Sequence, residues 1–181
     1  MMNKKLTSIV AAIAVVLSGP MVRAEDMASY SLTDAQISQV RTRCVEVQAT
    51  LTRIRANDGL RRVNLGQQYE TIATRLMAPM NSRVALNKFD GVELTKATVA
   101  FNAQLDVFRE RYRLYEQDIT HVIDMHCQDQ PVSFYDAVLK ARTERAAVRE
   151  SVDQLNALLA EYNVRFEDLA KSALDKKGSE Q

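Results

Sequence analysis

From Phe134 to Ala173 the chain runs without a glycine or proline, and its apolar residues recur at alternating spacings of four and three. The positions are Phe134, Val138, Ala141, Arg145, Val148, Val152, Leu155, Leu159, Tyr162, Phe166, Leu169 and Ala173, and eleven of the twelve are apolar or aromatic. That repeat keeps a narrow stripe on one side of a helix. At 1.5 Å per residue such a helix is about 60 Å long. It cannot bury its stripe alone, so the rest of the chain must supply partners of similar length.

Those partners are legible upstream. Thr33-Asp34-Ala35-Gln36 has the form of a capping box. Ile37, Val40, Cys44, Val47, Leu51 and Ile54 then follow a 3,4 repeat, and Leu65, Tyr69, Ile72 and Leu76 take it up again after Asn57-Asp58-Gly59. Two readings fit: one long helix bent near Gly59, or a helix–turn–helix at Asp58-Gly59. Pro79 is expected to end or break this helix at the preceding residue. Asp90-Gly91-Val92-Glu93 combines a turn with a helix start. The helix beyond carries Ala97, Phe101, Leu105, Phe108, Tyr112, Tyr115, Ile119, Val122 and His126 on its stripe and ends near Cys127. Ser133 is then expected to cap the last helix.

The expected fold is therefore all-α: an elongated, coiled-coil-like antiparallel bundle of three long helices. Abundant Ala, Leu, Arg, Glu and Gln, with only five glycines, three prolines and no tryptophan, agree with it. Lys4-Lys5, the apolar run Leu6–Leu17 and Val22-Arg23-Ala24 have the layout of a secretory signal peptide. The predicted organisation is a signal peptide over residues 1–24, a polar lead over 25–32, the bundle over 33–175 and a polar tail over 176–181.

Export gives the two cysteines an oxidising compartment, so Cys44 and Cys127 are expected to form one disulfide. Two buried free thiols are the alternative. Geometry favours the bridge with three long helices. In an antiparallel hairpin residues pair about a mirror point, and for these two it falls between residues 85 and 86, inside the predicted connection. Four short up-and-down helices would separate the sulfurs far beyond the roughly 7 Å Cα–Cα limit of a disulfide.

Three stretches carry a resemblance. They are Arg62 to Glu70 (RVNLGQQYE), Leu76 to Asn87 (LMAPMNSRVALN) and Cys127 to Asp136 (CQDQPVSFYD). Together they resemble small exported helical proteins of candidate-phylum bacteria such as the Saccharibacteria. The resemblance implies export and a bacterial source. It brings no activity and no site residues.

The chemistry-bearing residues are few. His121 and His126 lie five apart and diverge by about 140° on a helix, so they cannot share a metal ion, and no metal or cofactor is expected. No nucleophile elbow or glycine-rich phosphate loop occurs. Arg145 breaks the long stripe, and hairpin counting about the Gln128–Ser133 turn sets Glu116 opposite it, so a core salt bridge Arg145–Glu116 is expected. Charge is more informative. Residues 33–83 hold eight arginines against four carboxylates, while residues 92–175 hold fifteen carboxylates against ten bases. Complementary packing of the first helix on the others explains this. The alternative is a basic interaction surface made of Arg41, Arg53, Arg55, Arg61 and Arg62, continued by Arg75, Arg83 and Lys88 near the connection.

The net charge of +1 argues against nucleic acid as a partner. The expected partner is a protein or an anionic envelope surface, with a membrane only if the leader stays uncut. The function expected is that of a non-enzymatic interaction or scaffold protein, secreted, periplasmic or at the cell surface. A chaperone-like holder of envelope clients is the alternative, and an enzyme stands third.

Overall fold

A computed structural model describes residues 32–179. Helix α1 spans Asp34–Thr71 and passes through a π-helical segment, Ile72–Met77, into α2, Ala78–Leu86. Helix α3 spans Val92–Asp124 and α4 spans Pro131–Ser179. The described residues contain no strand, and the three helical arms pack on one another as an all-α bundle. The expected signal peptide, and the polar lead up to Ser31, lie outside the described residues.

The capping box forms as the sequence predicts. The Gln36 N–H donates to Thr33 Oγ1 at 3.4 Å, and the Thr33 N–H donates to Gln36 Oε1 at 2.9 Å. Helix α1 then runs unbroken through Asn57-Asp58-Gly59, which removes the helix–turn–helix alternative. An interior glycine costs a helix only about 1 kcal/mol. Asp58, moreover, directs its carboxylate across the bundle rather than back onto its own backbone.

Pro79 does not stop the helix either. The turns before it widen, with the Ala78 N–H reaching Ala73 O, five residues back. Pro79 then stands in the first turn of α2, where its missing N–H is least costly. The true end follows Leu86. The Phe89 N–H reaches Val84 O at 3.1 Å and the Lys88 N–H reaches Ala85 O at 3.0 Å, the paired bonds of a Schellman turn. Lys88 takes the left-handed position at φ 58°, which costs a residue with a side chain about 1–2 kcal/mol. Its clearest role is in the backbone.

Other boundaries shift as well. Helix α3 ends at Asp124, so His126 lies in the connecting turn and is exposed rather than packed in the stripe. Helix α4 starts at Pro131, not after Ser133, because proline's fixed φ suits a first helical position. It continues through Ser179, beyond the expected start of the polar tail, since no breaker precedes Gly178.

The core sits along α3, which buries ten residues from Leu94 to Val122, whereas α1 buries only Cys44 and Tyr69. One cluster gathers Tyr69, Ala73, Met77, Phe101, Leu105, Phe108 and Leu155. The other gathers Cys44, Tyr112, Tyr115, Ile119, Val122, Cys127 and Phe134. The long stripe of α4 is less covered than its length suggests: Val138, Val148, Val152 and Leu159 are half-buried, and Phe166 is 37 % exposed. The Cys44–Cys127 disulfide forms, with Cα atoms 5.9 Å apart. Close by, Gln48 Nε2 donates to the carbonyls of Val122, Ile123 and Met125 at 2.8–3.1 Å, closing the C-terminus of α3.

Candidate functional site: an arginine-rimmed cleft

Midway along the bundle, Asp58 of α1 joins all three long helices. Arg145 of α4 donates to it twice, Nε to Oδ2 at 2.7 Å and Nη2 to Oδ1 at 3.0 Å. The Tyr115 hydroxyl of α3 donates to Oδ2 at 2.7 Å. The expected Arg145–Glu116 bridge is therefore not formed. Glu116 accepts from Arg55 Nε at 2.7 Å and from the Tyr112 hydroxyl at 3.2 Å. Hairpin counting compares only α3 with α4. Both ion pairs instead recruit α1, whose Arg55 and Asp58 are three residues apart and share a face.

Burial alone would raise the Asp58 carboxyl, but the hydrogen bonds from Arg145 and Tyr115 and the Arg145 charge hold it below the usual carboxylate value. A lowered folded-state pKa gives stability that is present above about pH 3.9 and lost as pH falls through the folded value. Asp58→Asn should cost about 1–2 kcal/mol, because Asp58 is only 14 % exposed while Arg145, at 43 %, is partly screened. Urea unfolding at pH 7 and pH 3 checks it: the difference between wild type and variant should shrink at the lower pH. Burial, then the neighbouring Glu116, pushes the Tyr112 phenol up to about 12. That contribution is whole below about pH 10 and is lost only as pH rises towards the folded value.

Beside this junction a cleft of about 430 Å³ opens between α1, α3 and α4. Leu65, Phe108, Val148 and Val152 supply its apolar lining, and Tyr112 and Tyr115 its aromatic end. Arg61 and Arg62 come from α1, Arg145 and Arg149 from α4, and Asp58 is the one carboxylate among the lining residues. Asp58 is occupied by Arg145. Among the described residues, Arg61, Arg62 and Arg149 form no ion pair. The Arg62 guanidinium lies 4.8 Å from the centre of the Tyr112 ring, a cation–π arrangement that fixes its position.

The basic residues expected to form one surface are thus divided. Arg41 donates to the Gln128 carbonyl at 3.0 Å. Arg53 bonds Thr50 on its own helix, at 3.3 Å, and Arg55 is paired with Glu116. Arg75 is exposed on the π-helical segment. Arg83 borders an apolar groove with Met80, Phe89 and Phe166, and Lys88 holds the Schellman turn. Only Arg61 and Arg62 converge with other cations. Arg149, which sequence reasoning missed, completes that set; its signal is its place four residues after Arg145, on the same helix face. Complementary packing accounts for little of the charge asymmetry: among the described residues Arg55 of α1 pairs with Glu116 of α3, but the other two ion pairs of α1, Glu70 with Arg109 and Asp58 with Arg145, run the opposite way.

His121 and His126 are both exposed, and the described residues contain no metal-ligating cluster. No described helix is long and apolar enough to cross a membrane. The chain matches no protein-family model, no curated protein and no solved structure.

Proposed function

We propose that the chain is an exported, non-enzymatic interaction protein of the cell envelope or surface, which receives an anionic partner at the arginine-rimmed cleft. The observation that carries this reading is the cluster of Arg61, Arg62 and Arg149, without carboxylate partners among the described residues, around a concave apolar surface. Cations left unpaired beside a cleft with low-dielectric walls concentrate anions there. The disulfide and the signal-like leader support an oxidising compartment outside the cytoplasm.

Retention on immobilised poly-glutamate, with poly-lysine as the control, tests the reading. Binding is expected at low ionic strength and should fall away near 0.5 M salt, where the screening length is only about 4 Å. The triple variant Arg61→Ala/Arg62→Ala/Arg149→Ala should lose about tenfold in affinity or more. Salt-insensitive retention, or none, sinks the reading. The second reading, a chaperone-like holder, draws on the apolar groove of about 180 Å³ formed by Met80, Val84, Phe89, Phe166 and Leu169, with Leu86 exposed nearby in sequence. It requires that the chain suppress aggregation of unfolded clients without nucleotide.

A further inference from the structure

Helices α1 and α4 run parallel, and two contacts fix their register. Asp58 meets Arg145, and the Tyr69 hydroxyl donates to Asn156 Oδ1 at 3.0 Å, each across a sequence separation of 87. The same offset sets Arg62 opposite Arg149 and, one turn further on, Leu65 opposite Val152. Two like charges therefore face each other across the cleft, next to two apolar side chains that also face each other, with Phe108 of α3 between the helices at that level. Facing cations repel, and a bound anion between them reverses the sign of the interaction. The arrangement is polarised along the helices: cationic towards Asp58 and Tyr112, apolar towards Leu65, Phe108 and Val152.

We propose that this cleft binds a single-chain anionic amphiphile, a fatty-acid-type carboxylate with its head between Arg62 and Arg149 and its tail against Leu65, Phe108 and Val152. The proposal rests on the reading of the cleft as an anion-receiving site and names the ligand class. A planar guanidinium fork matches a carboxylate's two oxygens, and Arg62 is already held in place by the Tyr112 ring. Arg145 is not available to the head, because two hydrogen bonds commit it to Asp58. A purely polar anion would leave the apolar lining wet, and a purely apolar ligand would leave the facing arginines repelling. A volume of about 430 Å³ lies within the range of about 300–1,000 Å³ usual for small-molecule sites.

Calorimetric titration of the disulfide-bonded full chain with dodecanoate, below its micelle concentration, tests the proposal. Butyrate supplies the same head without the tail, and dodecanol the same tail without the head. Dodecanoate is expected to bind with about 1:1 stoichiometry, and at least about tenfold more tightly than either control. The double variant Arg62→Ala/Arg149→Ala should weaken it by about tenfold or more, and Arg75→Ala, outside the cleft, should leave it unchanged. Comparing variants that share every other residue cancels any binding elsewhere in the chain. Circular dichroism confirms that both variants stay folded, and Arg62→Gln/Arg149→Gln repeats the test with longer side chains.

Equal binding of dodecanol, equal binding by the double variants, or no binding of dodecanoate overturns the proposal. If dodecanoate fails while poly-glutamate is still held through the cleft arginines, the amphiphile falls and the anionic-partner reading stands. If neither binds, both fall.

Discussion

Replacing Cys44 and Cys127 together by alanine should lower the unfolding free energy by about 4 kcal/mol, the largest effect expected of any substitution that leaves the main apolar layers intact. The bridge closes a loop across a sequence separation of 83, and the entropy of that loop returns to the unfolded chain when the link is cut. Beyond the two buried sulfurs, which leave the second core cluster, the folded state loses little by direct contact, because Gln48 and Arg41 still hold α1 to the carbonyls at the end of α3 and in the following turn. The local consequence should be uneven. Up to Tyr69, Cys44 is the only buried residue of α1, so the first half of that helix has little apolar area to hold it down. Hydrogen exchange in the variant should therefore accelerate most between residues 34 and 54, and a thiol reductant should reproduce the effect in the wild type. Unchanged urea unfolding in the variant would show that the three-helix packing alone fixes α1.

Phe101→Ala should cost about 3–5 kcal/mol, close to the upper range for a single truncated core side chain. Phe101 is fully buried on α3 and sits edge-on to Tyr69 of α1, with ring centroids 6.1 Å apart and an interplanar angle of 74°. It shares a cluster with Met77 and Leu155, so the layer joins all three arms and has no solvent-facing side from which a cavity could refill. Phe166→Ala on α4 removes the same side chain from a site that is 37 % exposed and should cost about 1 kcal/mol or less. Thermal or urea unfolding of the two variants side by side measures which helix is the spine. Equal losses would return that role to α4.

The contrast shows what the sequence could reveal. The repeat from Phe134 to Ala173 is the longest in the chain and identifies a helix reliably, yet periodicity reports which face is apolar and not how well it is covered. Helix α3 packs against both other arms and is buried along its length, while α4 is longer than α3 and leaves Phe166 partly open. The disulfide was legible because its mirror point, between residues 85 and 86, falls in the last turn of α2, just before the chain turns back into α3. The Arg145 partner was not, because counting across one hairpin omits the third helix, and Asp58 comes from there. Half of the cleft could be read as a basic run at Arg61-Arg62. The other half, Arg149, needs the parallel register of α1 and α4, which no local pattern encodes. The π-helical segment did leave a trace. Tyr69, Ala73 and Met77 are all buried at two successive spacings of four, and in a regular helix that would carry Met77 about 80° off the face.

That segment bears on how the chain tolerates insertions and deletions. A π turn holds one residue more than the α turn it replaces, and it keeps the helix on either side in phase. Elsewhere in these helices, adding or removing one residue rotates everything beyond it by about 100° and turns a buried stripe towards solvent. Between Ile72 and Met77 a one-residue deletion would instead restore a regular helix, with Tyr69 behind it and Met80 and Val84 ahead still facing α3 and α4. The restored turn would, however, bring a carbonyl against the ring of Pro79. The surplus residue and the proline thus form a linked pair: a chain one residue shorter at this point keeps its fold most readily when Pro79 is replaced as well.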